Sequence, residues 1–225
     1  MKTFIISLGG SIIIPDKINT GFLKKFKKLI LSFVKKGHRF ILVTGGGRVN
    51  REFNKAAREI TRVSDRDLDF IGIAATRMNA ELIRVIFSDY AYGRVVYNPT
   101  KKIKTNKKII IGAGFEPGCS SDKDAVILAK QFRVKEMVNL FDKDYVYDKD
   151  PDEYKGAKSY KELKWHKYLK IIGKKWSPRL STPFDPEAAK SAKKFGIKVV
   201  ILKGTNLNNL KKYLQGKKFK GTVVG

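Results

Sequence analysis

Cysteine is almost absent from this chain. Cys119 stands alone, so no disulfide can form within the molecule and no cysteine-rich zinc knuckle can be built. Histidine is nearly as scarce: His38 and His166 are the only two and lie far apart, leaving no histidine-based zinc site. No apolar run approaches the roughly 20 residues that span a bilayer. The opening MKTFIISLGGS reads as a strand followed by glycines, without the apolar core and cleavage box of a signal peptide. These absences set the expectation of a cytoplasmic protein with no membrane partner.

Acidic residues are also few, 21 against 48 lysines and arginines, for a formal charge of +27. The excess is uneven, because residues 188–225 carry ten lysines and no acid. A field of that sign attracts phosphates, whether on nucleotides or nucleic acid, and invites nonspecific RNA contact. A lysine-rich solvated surface explains the same number, so charge alone does not decide. With 225 residues, 42% hydrophobic, the chain is long enough for a sizeable core.

Short β-rich runs alternate with helical periodicity throughout. TFIISL (3–8), FILVT (40–44), RVVY (94–97), KIIIG (108–112), EMVNLF (136–141), VVILK (199–203) and GTVV (221–224) read as strands. Helical spacing joins Phe22, Leu23, Phe26, Ile30, Phe33 and Val34, opened by Asn19 or Thr20. Further helices are expected over about 49–62, 67–87, 186–195 and 206–214, and in SDKDAVILAKQF (121–132). Asp185 and Pro186 form a capped helix start. Strands alternating with helices mean parallel βαβ units, here an αβα sandwich with a mainly parallel sheet and functional loops at the strands' C-terminal ends. Residues 142–183, rich in Asp, Lys, Tyr and Pro, read as an inserted lobe, and its Tyr160–Trp176 aromatics as lobe core or subunit contact.

Glycines follow several strands: Gly9-Gly10, Gly45-Gly46-Gly47, and Gly112 and Gly114 with Gly118. Glycine at that place lets backbone N–H groups approach a phosphate, and the following helix adds its positive end. Three clusters at one sheet edge suit a polyphosphate or two phosphorylated ligands. Other phosphate motifs fail on spacing. There is no G-x-x-x-x-G-K-[ST], and Gly112-x-Gly114-x-x-x-Gly118 misses the dinucleotide fingerprint by one residue. No G-x-S-x-G elbow is present, and Cys119 has no histidine partner in sequence.

Taken in order, Gly9-Gly10-Ser11, Gly45 to Arg51, Asp69 to Ala80, Pro117 to Asp122, Asp144 to Pro151, Asp185 to Lys190 and Gly221-Thr222-Val223 resemble the motifs of the amino-acid kinase superfamily. More narrowly, the set is similar to archaeal-like uridylate (UMP) kinases. The resemblance covers nearly the whole chain. It implies a carbamate kinase-like fold over residues 1–225, with an acceptor-binding lobe over about 1–135 and an ATP-binding lobe over about 136–225. It further implies transfer of the γ-phosphoryl group of ATP to UMP, with Mg²⁺ held mainly by ATP phosphates rather than protein ligands, and a homo-oligomer, commonly a hexamer. The pathway implied is pyrimidine nucleotide biosynthesis.

By the same resemblance, Gly46, Asp69, Gly114, Phe115, Glu116, Pro117, Gly118, Cys119, Ser120 and Ser121 bind UMP. Ser7, Gly9, Gly10, Gly47, Arg51, Asp142, Tyr147 and Asp150 face ATP. Lys190 and Arg51 would neutralise the moving phosphoryl group while Asp122 holds the cations in place. Each residue has a plainer reading: Asp69 as a helix cap, Arg48 and Arg51 as solvated helix charges, Tyr147 as loop packing.

Two departures stand out. Serine occupies position 7, where many members of the superfamily carry lysine, and Phe141-Asp142-Lys143 replaces a small polar pattern. If Lys190 is silent, Lys123 and Lys143 are the next candidate cations. Rival readings are a relative acting on another phosphate or carboxylate, such as isopentenyl phosphate kinase or acetylglutamate kinase, and a noncatalytic nucleic-acid-binding protein on this fold.

Overall fold

The structure is a computed structural model describing residues 1–173, 175–178 and 182–225. Its first half contains β1 (Thr3–Leu8), α1 (Gly10–Ile13), α2 (Thr20–Val34), β2 (Arg39–Thr44), α3 (Gly47–Ile60), α4 (Asp65–Ile86), β3 (Ile109–Gly112) and α5 (Ser121–Gln131). The second half contains β4 (Glu136–Phe141), β5 (Val146–Tyr147), β6 (Ser159–Tyr160), β7 (Glu162–Leu163), α6 (Trp165–Ile172), α7 (Pro186–Phe195), β8 (Lys198–Lys203), α8 (Leu207–Leu214) and β9 (Thr222–Val224). One sheet in the order β3-β2-β1-β4-β8-β9-β7 spans the molecule, with β5 and β6 forming a separate hairpin. The strands from β3 through β8 in that order run parallel, and β9 pairs antiparallel with β8.

Alternation along β1 sorts its side chains onto two faces. Phe4, Ile6 and Leu8 pack with α2, α4 and α8, while Ile5 joins Ala125, Leu128 and Ala188 of α5 and α7. Ser7 follows Ile5 in the same register and meets α5. Connections from β1 through β2 to β3 build one way, whereas β4 lies on β1's other side. The chain therefore reverses its strand order between β1 and β4, and the crevice outside the C-terminal ends of these strands is the usual ligand position of such a sheet.

Two local expectations change. RVVY (94–97) is not a strand: this stretch pairs with β3 only through isolated bridges, Ala91 to Ile109 and Val96 to Gly112, because the chain bends away at Gly93 and Arg94. Nor is 142–183 a lobe apart. Its β7 joins the main sheet beside β9, and Trp165 and Tyr168 are buried in the α5–α7 core. Lys174 and residues 179–181 of that segment lie outside the described residues.

Candidate active site

The glycine turns after β1 and β2 interlock. A Cβ on Gly10 would lie 2.0 Å from the Gly47 nitrogen, and one on Gly47 would lie 2.4 Å from the Gly10 oxygen. Both positions therefore demand glycine for reasons of space, and Gly47, at φ +65°, for conformation as well. α4 fixes the turns from behind: Asn79 Nδ2 donates to the carbonyls of Gly45 (2.8 Å) and Gly46 (3.1 Å), and Thr44 Oγ1 donates to Thr76 O at 2.9 Å. Gly114 N donates to Thr76 Oγ1 at 2.9 Å, tying the loop after β3 to the same helix. α3 starts at Gly47 with no capping side chain, so its positive end opens toward the crevice.

Two adjoining clefts lie at this sheet edge. The larger, about 590 Å³, is lined by Ser7, Gly9, Gly10, Gly47, Asn139 and Phe141, with Arg51, Lys55 and Arg58 of α3 along one wall and Asp122 opposite. The smaller, about 130 Å³, is lined by Gly46, Asp69, Thr76, Gly114, Glu116, Cys119 and Asp124. Gly45, Asn50, Asn54, Ser120, Ser121, Trp176 and Pro178 line both and form the passage between them.

Asp69 does not cap its helix. Ser64 does so, accepting from Asp67 N at 3.1 Å. The Asp69 carboxylate instead accepts from Gly118 N at 2.7 Å and Trp176 Nε1 at 3.4 Å, which holds the 115–119 loop over the smaller cleft. Trp176 is thus a cleft residue rather than part of the lobe core expected for the 160–176 aromatics. Phe115 donates its N–H to Asp124 at 3.2 Å, and neither it, Pro117 nor Gly118 lines the cavity. Burial pushes the Cys119 thiol up to about 12, so it is no nucleophile at neutral pH.

At the wall of the larger cleft sits a cluster of acids, Asp122 half-buried and Asp124 and Asp185 buried behind it. Ser7 Oγ, 2% exposed, donates to Asp122 at 2.6 Å, and Asp185 N approaches the same carboxyl at 3.4 Å. Ser120 Oγ donates to Asp185 at 2.5 Å, and Asp185 caps α7 through Glu187 N and Ala188 N. No ion pair reaches Asp122 among the described residues. Burial, reinforced by the neighbouring Asp185, therefore raises Asp122 to about 7. Asp124 rises to about 8 and Asp185 also rises, in both cases first because of burial.

Several expected residues stay outside. Lys190 lies one turn into α7, where its Nζ pairs with Glu187 at 2.6 Å on an exposed face, and it lines neither cleft. The helix carries it away from the strand ends, which corrects its placement beside the moving phosphoryl group. Tyr147 and Asp150 belong to the β5–β6 hairpin region, and Asp150 pairs with Lys143 at 3.9 Å. Asp142 is exposed just beyond Phe141. Lys123 pairs with Glu116 at 3.7 Å, and Arg48 is held by Asp16 and Glu52 as a solvated helix charge. Arg51 enters the larger cleft with no ion pair among the described residues. The sequence reading missed Asn50, Asn54, Lys55, Arg58 and Trp176. For the α3 residues the signal was available, since positions 51, 54, 55 and 58 share a helical face with the glycine turn at its head.

Comparison with known proteins supplies the lineage. The Amino acid kinase family profile matches residues 2–203. A uridylate kinase of Methanobrevibacter smithii is 32% identical, over 98% of this chain and 97% of that protein. One from Sulfurisphaera tokodaii is 32% identical over 93% of each. The crystal structure of uridylate kinase from Archaeoglobus fulgidus superposes with a TM-score of 0.83 at 30% identity, covering all of both chains. A UMP kinase from Bacillus anthracis, 20% identical with a TM-score of 0.79, shares the fold. A family match over residues 2–203, near-full-length likeness at 32% identity and two joined clefts at the sheet's switch point agree: the chain belongs to the amino acid kinase family, in its uridylate kinase branch.

Proposed function

We propose that the protein is a nucleoside monophosphate kinase that transfers the γ-phosphoryl group of ATP to UMP. One observation carries the reading: a cation-lined cleft opens through a shared passage into a smaller one that holds acids but no lysine or arginine among the described residues. A triphosphate belongs in the first. A nucleoside offering hydroxyls and base edges belongs in the second, where Asp69 can accept from ribose. The acceptor's phosphate then sits in the passage, where its oxygen attacks the γ-phosphorus as the bond to the bridging oxygen of ADP breaks. Such transfer asks the protein for alignment and charge neutralisation more than covalent chemistry. Arg51, Lys55 and Arg58 provide the positive charge, and the backbone amides at the head of α3 provide oriented donors.

Mg²⁺ fits as an ion carried on the ATP phosphates. Magnesium commonly keeps phosphate and water ligands rather than a full set of protein ones. Asp122 is the half-buried carboxyl that would face it from the cleft wall. When bound, the ion neutralises charge on the triphosphate. Exposed Phe70, Met78 and Val85 along α4 support the homo-oligomer that the family resemblance implies, with a hexamer as the expected form. The absence of a membrane-crossing helix among the described residues accords with a cytoplasmic role in pyrimidine nucleotide synthesis. The test is a panel of monophosphates with Mg·ATP, scored by ADP release. UMP should be preferred over CMP and AMP, because a site that pairs one base edge leaves its polar groups unpaired with another, and over dUMP, which lacks the 2′-hydroxyl that Asp69 would accept from. Turnover of isopentenyl phosphate or acetylglutamate instead would remove the assignment.

A further inference from the structure

The passage between the clefts contains an unusual pair of side chains. Asn50 and Asn54 lie one turn apart on α3 and line both cavities. Asn54 is 9% exposed, and its Oδ1 finds no partner; the Oδ1 of Asn50 is likewise buried and unpaired. Leaving a buried amide unsatisfied costs free energy that a leucine of the same branched shape would avoid. Space has also been cleared around Asn50. A Cβ on Gly46 would lie 2.8 Å from the Asn50 Cβ, and one on Gly72 would lie 3.2 Å from its Oδ1.

We propose that Asn50 and Asn54 bind the phosphoryl acceptor, their amides hydrogen-bonding its monophosphate where it passes from the smaller cleft into the larger. The proposal rests on the reading of the smaller cleft as the acceptor site. The phosphate needs donors there, and among the described residues the smaller cleft offers no cationic side chain. On that side neutral donors complement the cations of the larger cleft, and rotation of an asparagine amide presents either its N–H₂ or its carbonyl to the ligand. Asp69 reaches the 115–119 loop away from this wall, which leaves the nucleoside hydroxyls to it and the phosphate to the asparagines.

The experiment compares the parent protein with Asn54→Leu, and with Asn54→Ala should leucine disturb folding. UMP and uridine affinities are measured by calorimetry, together with ligand-free thermal midpoints and KM for ATP. Loss of hydrogen bonds to a charged group should weaken UMP binding at least about tenfold. Uridine affinity and KM for ATP should stay within twofold, and the midpoint of Asn54→Leu should equal or exceed the parent's. UMP affinity within twofold of the parent in a folded variant overturns the proposal, as does an equal loss for uridine. A parent that binds UMP in an Asn54-dependent way yet transfers no phosphoryl group to it retains this inference and removes the proposed function. A parent that binds no nucleoside monophosphate removes both.

Discussion

The larger and smaller clefts share a wall but not a charge. Arg51, Lys55 and Arg58 line the larger, together with Glu59 and Asp122, while Asp69, Glu116 and Asp124 line the smaller with no cation among the described residues. The formal net charge of +27 says nothing of this division, because it is a sum over every charged residue of the chain. A phosphate transferase needs both environments. One must gather several negative charges that repel each other, and the other must recognise a largely neutral nucleoside. On the proposed function the difference between the clefts is a division of labour, and substitutions on either side should have distinct kinetic signatures.

The largest effect is expected on the cationic side. Arg51→Met should lower kcat for UMP phosphorylation by about 10²-fold, the usual loss when a preorganised charge is removed from a transition state. A decrease below threefold in steady-state assays would return Arg51 to the class of solvated helix charges. On the acidic side, Asp69→Asn should raise KM for UMP about tenfold while KM for ATP stays within twofold, since it removes binding equal in ground and transition states. Equal weakening of both substrates would erase the proposed division.

A smaller effect concerns stability and pH. Asp122 titrates near 7 and Asp124 near 8 in the folded protein, against ordinary carboxyl values in the unfolded chain. Between about pH 4 and pH 8 the folded state holds protons that the unfolded state has released, so stability should fall as pH rises through that window. The stabilisation is complete below the unfolded value and lost above the folded one. Asp122→Asn should therefore raise the thermal midpoint more at pH 8 than at pH 5. A midpoint difference independent of pH would show that Asp122 does not carry this linkage. The smallest effect is expected at Lys190, already paired with Glu187 outside both clefts. Lys190→Ala should stay within twofold of the parent in kcat and in both KM values; a tenfold fall in kcat would bring it back into the machinery.

Much of the architecture was readable before any coordinates. Apolar strands such as FILVT and the Asp185-Pro186 start of α7 carry their structure in local pattern, and both formed as expected. RVVY has the same β-branched composition yet makes only isolated bridges, because sheet pairing depends on a partner and a path that local composition does not encode. The site divides similarly. The glycine turns announced themselves, since their backbone contact excludes every other residue. For Asn50 and Asn54 the helical face was legible but the burial was not, because an asparagine in a helix gives no sign of whether its amide is solvated or buried. Lys190 shows the reverse failure: a motif can place a residue in the right helix without giving the direction of its side chain.

On the proposed function two nucleotides occupy joined clefts, end to end, in one chain. A bisubstrate compound linking uridine and adenosine through a polyphosphate tests it directly. Calorimetric titration should give one molecule per chain, bound at least 10²-fold more tightly than UMP because the second site is engaged intramolecularly. Arg51→Met and Asp69→Asn should each weaken it. Affinity no greater than that of UMP alone, or two molecules bound per chain, would contradict the joined-cleft account.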